Sequence, residues 1–357
     1  MDDRGHPPTG PLVARDLEEI LSRIATPLEE LRGKRLFVTG GTGFFGIWLH
    51  ECLAWANQHL GLGVTAVVLT RSPDDFRRRF PHLAANPTFR YHPGDIEDFE
   101  FPEGHFSHVI HAAATSAEAT FANEEPLRKL DLQVRGTRRA LDFAVHCRAD
   151  KVLFTSSGSV YGKQPSSITH IAEDSPYAPD PFDTKRALGQ GKRAAESLCA
   201  AYAQKHGIEI KILRGFCFVG PYLQMDIHYA IGNFIRDAQL GRPIRILGDG
   251  TPRRSYLYAK DLMIWLWTIF LAGQSCRPYN VGSERDLSVA ELAALVKQVL
   301  GVKQAIVAAQ QPVPGRPIDR YVPCTERARQ ELGLEEYTDL ATAIERTASH
   351  YVSSGSR

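Results

Sequence analysis

The feature that most constrains this chain is a glycine-rich turn between an apolar run and a helical pattern. The turn, residues 40–46 (Gly-Gly-Thr-Gly-Phe-Phe-Gly), follows the run Leu36–Thr39 and opens the helical segment Phe45–Gln58. Glycines permit a tight turn and let backbone N–H groups approach a pyrophosphate, and the helix N-terminus adds the positive end of its dipole. The turn is therefore predicted to bind a dinucleotide. The expected contact residues are Gly40, Gly43, Phe44, Phe45 and Gly46.

Short apolar runs alternate with helical segments over the first 215 residues. The predicted strands are Leu36–Thr39, Val64–Thr70, Val109–Ala113, Val152–Thr155 and Ile208–Leu213. The predicted helices between them are Phe45–Gln58, Glu124–Cys147 and Leu188–His206. This alternation implies parallel βαβ units whose strands are buried on both faces. The predicted fold class is α/β, a Rossmann-type doubly wound parallel sheet with a smaller C-terminal substrate lobe.

Three parts of the chain differ in pattern. Residues 1–34 form an N-terminal helical arm, in which apolar residues recur at helical spacing over 16–31, with Asp16 as the expected N-cap and a bend or end near Pro27. Residues 35–215 form the dinucleotide-binding domain, to which residues 255–282 return. After residue 215 the alternation stops and Pro and Gly become frequent, which predicts a substrate-binding lobe from 216–254 and 283–357.

Composition and charge exclude several classes of partner. A formal net charge of +1 provides no electrostatic basis for binding nucleic acid or an anionic membrane. The most apolar later stretch, Ile264–Ala272, is too short to cross a bilayer, and the N-terminus lacks the basic start of a signal peptide. Six scattered cysteines without metal-ligand spacing fit a reduced compartment. We expect a cytoplasmic protein with no metal site, nucleic-acid partner or membrane partner.

Residues that follow the next strands extend the predicted dinucleotide site. Asp95 and Ile96 come after the strand-like run Phe89–His92, where the aspartate could accept a hydrogen bond from an adenine amino group. The small side chains of Ala112, Ala113 and Ala114 end the next strand and would let a ribose and phosphate lie close.

The end of the second strand bears on the choice between NAD and NADP. An NAD site usually offers an acid there for the ribose 2′-hydroxyl, whereas this chain reads Leu-Thr-Arg-Ser over residues 69–72. Arg71 could bind a 2′-phosphate, or it could stack on adenine or face solvent. The sequence therefore favours NADP over NAD.

Taken in order, the motifs resemble those of the extended short-chain dehydrogenase/reductases, the NAD(P)-dependent epimerase/dehydratase family that modifies nucleotide sugars. The resemblance spans about residues 34–335. Beyond the cofactor residues it is carried by the segments 155–162 (TSSGSVYG), 248–256 (GDGTPRRSY), 258–261 (YAKD), 279–282 (YNVG) and 314–319 (PGRPID).

The resemblance implies a hydride shuttle in which a Tyr-x-x-x-Lys motif and a Ser or Thr handle the sugar hydroxyl. Ser157 matches the Ser/Thr position and Lys192 matches the Lys, which would also hold the nicotinamide ribose. The Tyr position is occupied by Leu188, which cannot transfer a proton. Three alternatives follow: Lys192 or Tyr161 does the proton work, the chemistry needs no Tyr, or the protein binds its ligands without turnover.

On the substrate side the resemblance implies that Arg254 and Arg316 contact a nucleotide diphosphate, as the planar guanidinium suits. Further substrate candidates are Ser116, Cys217 and Asp319, of which the last could hold a ribose hydroxyl or orient Arg316. Gly158-Ser159 stands where the family's 4,6-dehydratases have Asp-Glu, which disfavours that reaction. The expected activity is epimerisation or keto-sugar reduction, and the alternative is a catalytically silent binding paralogue. The resemblance also implies a homodimer through segments 124–147 and 188–206.

Overall fold

The computed structural model describes residues 11–113, 125–226 and 229–355, the backbone alone for residues 11 and 352–355. In chain order its strands are β1 (Arg35–Thr39), β2 (Thr65–Thr70), β3 (Phe89–Pro93), β4 (His108–His111), β5 (Lys151–Ser157), β6 (Glu209–Gly215), β7 (Phe218–Val219), β8 (Ile244–Ile246), β9 (Arg253–Arg254), β10 (Leu257–Tyr258), β11 (Pro278–Val281), β12 (Leu287–Ser288), β13 (Ile306–Ala308) and β14 (Arg320–Tyr321).

The α-helices of the described residues are α1 (Pro11–Leu28), α2 (Phe44–Leu60), α3 (Pro73–Arg79), α4 (Pro81–Ala84), α5 (Pro126–His146), α6 (Ala187–His206), α7 (Ala230–Gln239), α8 (Ala259–Ala272), α9 (Val289–Val299), α10 (Glu326–Leu332) and α11 (Leu340–Gly355). None of these helices is long and apolar enough to cross a membrane.

Seven strands form one parallel sheet in the order β3-β2-β1-β4-β5-β6-β11. The strand order reverses between β1 and β4, which is where a doubly wound sheet opens a crevice at the carboxyl ends of its strands. The predicted α/β Rossmann-type fold class is therefore confirmed. The strand β11 lies at the edge of the sheet and pairs with β6, so the chain returns to the sheet after residue 254.

Apolar cores lie on both faces of the sheet. On one face α1, α2 and α8 pack together, and α8 is buried almost all round because its residues are nearly all apolar. On the other face α5 and α6 cover the strands with a second cluster that includes Phe37, Phe143 and Phe154. Burial on both faces explains why the strands appear in the sequence as continuous apolar runs.

The N-terminal arm packs on the sheet domain through Leu17, Ile20, Ile24 and Leu28, all of them buried. The helix ends at Leu28 and a 3₁₀ turn follows, in agreement with the end predicted near Pro27. The prediction that Asp16 caps the helix is wrong.

The helix α1 begins five residues before Asp16, at Pro11. Asp16 is fully buried and forms an ion pair with Arg346 of α11 and a 2.5 Å hydrogen bond from Tyr258. Its acidic side chain therefore binds partners that are distant in sequence.

A smaller region contains short strands and the helices α7, α9 and α11 around a third apolar cluster. It includes a three-stranded sheet in the order β12-β9-β14. The strands β9 and β14 run parallel, with Arg254 opposite Tyr321.

Candidate functional site

The glycine turn leaves space at only one of its three key glycines. Gly40 has a φ of +71°, and a Cβ there would lie 2.4 Å from the backbone of Ala112. A Cβ on Gly46 would lie 2.1 Å from the backbone of Gly41. A Cβ on Gly43 would meet only the Gly40 carbonyl, at 3.7 Å. Gly40 and Gly46 are therefore required by the fold, whereas the space beside Gly43 is open for a ligand.

Gly43 is also the N-cap of helix α2, so the unpaired N–H groups of the first turn lie at this opening. Phe44 and Phe45 are half-buried, and the ring of Phe45 contacts Phe218 edge-on at a centroid distance of 5.3 Å. Both aromatic residues thus join the helix start to the core while their N–H groups remain near the turn.

Arg71 and Asp95 lie close together at the ends of β2 and β3. The Arg71 guanidinium is 4.0 Å from the Asp95 carboxylate, and the Arg71 side chain is 75% exposed. Asp95 also accepts a hydrogen bond from the N–H of Glu97 at 3.1 Å. The neighbouring Ile96 is buried against Gly136, which anchors this loop.

At the end of β4, His111 links three elements. Its Nδ1 lies 2.8 Å from the Thr39 hydroxyl of β1, and its Nε2 lies 3.0 Å from the Thr137 hydroxyl of α5. Burial lowers the pKa of His111 to about 3, so the ring is neutral at physiological pH. Ala112 and Ala113 follow it and are half-buried, whereas Ala114 and Ser116 lie outside the described residues.

Ser157 is the last residue of β5, and Lys192 of α6 is bonded to the same strand two residues earlier. The Ser157 hydroxyl accepts a hydrogen bond from the N–H of Ser159 at 3.1 Å. The Lys192 ammonium donates to the carbonyl of Thr155 at 2.6 Å and is 3% exposed. Burial lowers the pKa of Lys192 to about 8, so part of the population is neutral near physiological pH. Leu188 lies in the first turn of α6, one turn before Lys192 and on the same side of the helix.

Tyr161 lies in a buried network and serves the fold. Its hydroxyl donates to the Asn280 side chain at 2.8 Å and accepts from Arg214, also at 2.8 Å. Arg214 is held in turn by the Glu196 carboxylate at 2.6 Å. The Tyr161 side chain is 2% exposed, and burial raises its pKa to about 12. This network occupies both the proton and an acceptor position of the hydroxyl considered for proton transfer.

Two of the proposed substrate residues form an ion pair. The Arg254 guanidinium binds the Asp319 carboxylate at 2.6 Å, and the two side chains are 27% and 47% exposed. Asp319 therefore orients Arg254, whereas the sequence suggested that it could orient Arg316. Arg316 lies on an exposed loop. Burial raises the pKa of the nearby Cys217 to about 11, which keeps its sulfur a thiol.

One residue at the site was missed by the sequence reasoning. The hydroxyl of Tyr321 lies 3.3 Å from the Ser157 hydroxyl and 3.4 Å from the carbonyl of Gly215. Tyr321 follows Asp319 by two positions, but a two-residue strand has no periodicity that could have indicated this placement.

Comparisons with known proteins show what the whole chain is similar to. The model of the NAD dependent epimerase/dehydratase family matches residues 36–282. UDP-glucuronic acid decarboxylase 6 from Arabidopsis thaliana is 30% identical over 311 residues, which cover 87% of this chain and 86% of that protein.

Two solved structures share the fold. The UDP-glucose 4-epimerase of Thermotoga maritima, solved with UDP-glucose, has a TM-score of 0.73 at 20% identity and covers 90% of this chain and 99% of its own. The UDP-glucuronic acid 4-epimerase of Bacillus cereus, solved with UDP-glucuronic acid and NAD, has a TM-score of 0.73 at 21% identity and covers 89% and 99%.

Proposed function

The chain belongs to the NAD-dependent epimerase/dehydratase family, and on that premise we propose that it modifies a nucleoside-diphosphate sugar by hydride exchange with a bound nicotinamide dinucleotide. The observation that carries the proposal is that Ser157 ends β5 while Lys192 is bonded to the same strand at the carbonyl of Thr155. In the sheet, β5 lies next to β4, and the strand order reverses between β4 and β1, the strand that leads into the glycine turn. Dinucleotide and reacting sugar carbon would then share one crevice.

The residues of this chain fit a dinucleotide. The open space at Gly43 and the N-terminus of α2 would hold the pyrophosphate, with Asp95 at the adenine and Lys192 at the nicotinamide ribose. When bound, the nicotinamide supplies the acceptor and donor of hydride. We further propose a preference for NADP over NAD, because the exposed Arg71 can pair with a 2′-phosphate and no acid of the second strand end competes for the ribose hydroxyl.

The substrate proposal depends on Arg254 and Arg316. Arg254 already pairs with Asp319, so a diphosphate that takes over the guanidinium would free the Asp319 carboxylate to accept from ribose hydroxyls. Arg316 is exposed and able to close over the ligand from its loop. UDP-sugars are the first candidates because the similar decarboxylases act on UDP-glucuronic acid. The reaction expected is epimerisation or keto-sugar reduction.

The second candidate function is a catalytically silent protein that binds cofactor and nucleotide sugar. The observation that favours it is Leu188, whose side chain can neither donate nor accept a proton at the position of the family tyrosine. General acid–base catalysis typically contributes about 10²–10⁴-fold in rate, so its complete loss would leave little turnover.

Assembly and compartment are also part of the proposal. The helices α5 and α6 pack against each other on one face of the sheet, and we propose that their outer surfaces form a homodimer interface. None of the six cysteines, all of which lie in described segments, forms a disulfide, which fits a reducing cytoplasm.

The test is incubation with a panel of nucleotide sugars and both cofactors, followed by mass spectrometry and chromatographic separation of epimers. The panel includes UDP-glucose, UDP-galactose, UDP-glucuronic acid and dTDP-glucose. Conversion of one sugar supports the enzyme, and loss of carbon dioxide from UDP-glucuronic acid would identify a decarboxylase. Binding of cofactor and sugar in calorimetry without any conversion would establish the silent binder.

A further inference from the structure

A tyrosine from the smaller region occupies the space beside Ser157. The Tyr321 and Ser157 hydroxyls lie 3.3 Å apart. Ser157 already accepts from the N–H of Ser159, so the proton of its own hydroxyl is available either to Tyr321 or to a ligand. A sugar oxygen that approached Ser157 would therefore also approach the phenol.

The strand β14 holds this phenol in place. Tyr321 lies opposite Arg254 in the parallel pair of β14 and β9. Its ring packs on Phe216 at a centroid distance of 4.7 Å. Arg254, which is proposed to bind the diphosphate, and Tyr321 are thus held next to each other by the backbone hydrogen bonds between β9 and β14.

A glycine makes room for the phenol. A Cβ on Gly158 would lie 2.8 Å from the Tyr321 hydroxyl oxygen and 2.6 Å from the ring of Phe216. Any larger side chain at position 158 would therefore exclude Tyr321 from Ser157. The leucine at position 188 and the glycine at position 158 are then parts of one arrangement. The leucine supplies no hydroxyl, and the glycine leaves room for that of Tyr321.

We propose that Tyr321 supplies the proton that residue 188 cannot, acting with Ser157 on the reacting oxygen of the sugar; this inference rests on the proposed function. In the reducing direction, the carbonyl carbon of a keto sugar receives the hydride and its two electrons from the reduced nicotinamide. The carbonyl oxygen receives the phenolic proton, which leaves an oxidised nicotinamide, a sugar alcohol and the Tyr321 phenolate. In the oxidising direction the same phenolate takes the hydroxyl proton back.

The environment of Tyr321 keeps its hydroxyl protonated. Burial raises the pKa of Tyr321 above its ordinary value, so the phenol is the resting form. The positive charge of Arg254, which acts to lower the pKa of Tyr321, would favour the phenolate once the proton has left.

The test compares Tyr321→Phe with the wild type on the nucleotide sugar that the panel identifies. Single-turnover hydride transfer, followed by the absorbance of the reduced nicotinamide, should slow about 10²–10⁴-fold. In calorimetry the affinity for UDP alone should stay within twofold, while the affinity for the UDP-sugar falls, because the phenol contacts only the sugar. Tyr337→Phe, which alters a ring that packs under Arg23 of α1, is the matched control and should behave as the wild type.

A rescue variant separates a proton donor from a packing residue. Leu188→Tyr combined with Tyr321→Phe should recover much of the lost rate, because it places a phenol one turn before Lys192. Unchanged hydride transfer in Tyr321→Phe, with a wild type that turns over, would overturn the role of Tyr321 and leave the proposed function intact. A wild-type protein that converts none of the nucleotide sugars, whether or not it binds them, would overturn both the role of Tyr321 and the proposed enzyme activity.

Discussion

Replacement of Gly43 by alanine should separate cofactor binding from folding. Gly43 has extended backbone angles, φ −89° and ψ −175°, which any residue adopts, and its Cβ would meet only one protein atom, at 3.7 Å. Alanine reduces the entropy of the unfolded chain, which stabilises by about 0.4–1 kcal/mol. Loss of glycine at a helix N-cap costs about the same. The free energy of unfolding should therefore change by less than about 1 kcal/mol.

The same substitution should weaken dinucleotide binding strongly. The new methyl group occupies the space in which a pyrophosphate would approach the N–H groups of α2. A hydrogen bond to a charged group contributes about 1.5–3 kcal/mol. Loss of one such bond lowers affinity by about 10- to 100-fold, since each tenfold is about 1.4 kcal/mol. Gly43→Val, with a larger side chain, should abolish binding.

The assay is calorimetric titration with NAD and NADP, together with thermal unfolding of the ligand-free protein. Gly248→Ala is the matched control, because a Cβ there meets no atom within 4 Å. Gly40→Ala is the opposite case: its positive φ and its overlap with Ala112 together cost about 2–5 kcal/mol of stability. If Gly43→Ala binds dinucleotide as tightly as the wild type, the turn is not the phosphate site.

Four further outcomes follow from the contacts. NADP should bind more tightly than NAD, and Arg71→Ala should remove that difference in calorimetry; a preference for NAD would refute the inference. Arg254→Ala and Arg316→Ala should each weaken nucleotide-sugar binding at least tenfold, because a charged contact that the bound ligand buries contributes about 2–5 kcal/mol. Affinities equal to that of the wild type would indicate another substrate class. Lys192→Ala should abolish hydride transfer. If the neutral amine of Lys192 is the base, the wild-type rate should rise as the pH increases through the Lys192 pKa of about 8, and a rate that does not change with pH would exclude that role. Asp16→Ala should lower the free energy of unfolding in urea by about 1–3 kcal/mol, because the buried Tyr258 hydroxyl loses its acceptor and Arg346 keeps only its pair with Glu19. A change below about 1 kcal/mol would show that the Asp16 contacts contribute little.

Local patterns were sufficient to predict the sheet and the glycine turn. Strands buried on both faces appear as continuous apolar runs, so the run Leu36–Thr39 anticipated β1 with an error of one residue. The helix that follows the turn was predicted to start at Phe45 and starts at Phe44. These features are determined by neighbours in sequence, and single-sequence reasoning can detect them.

Features determined by distant partners could not be predicted in this way. Asp16 has the residue type and position of an N-cap, but its hydrogen bond is to Tyr258, which is 242 positions away. Tyr321 is 164 positions from Ser157 and belongs to a strand of two residues, too short for any periodic signal. The ion pair of Arg254 with Asp319 could not be predicted either, because motif spacing identifies each residue but does not indicate which residue it pairs with.

The pairing of β14 with β9 also constrains the length of the chain. Tyr321 faces Arg254 only in the present register, and a shift by one residue turns every side chain of a strand to the other face. One residue inserted between Asp319 and Tyr321 would therefore direct the phenol away from Ser157 while the composition of the segment stayed the same. The spacing Asp-x-Tyr is then a more specific signature than the tyrosine alone. It would identify other chains that have a leucine at the position of Leu188, four residues before the lysine, and a hydroxyl equivalent to that of Tyr321.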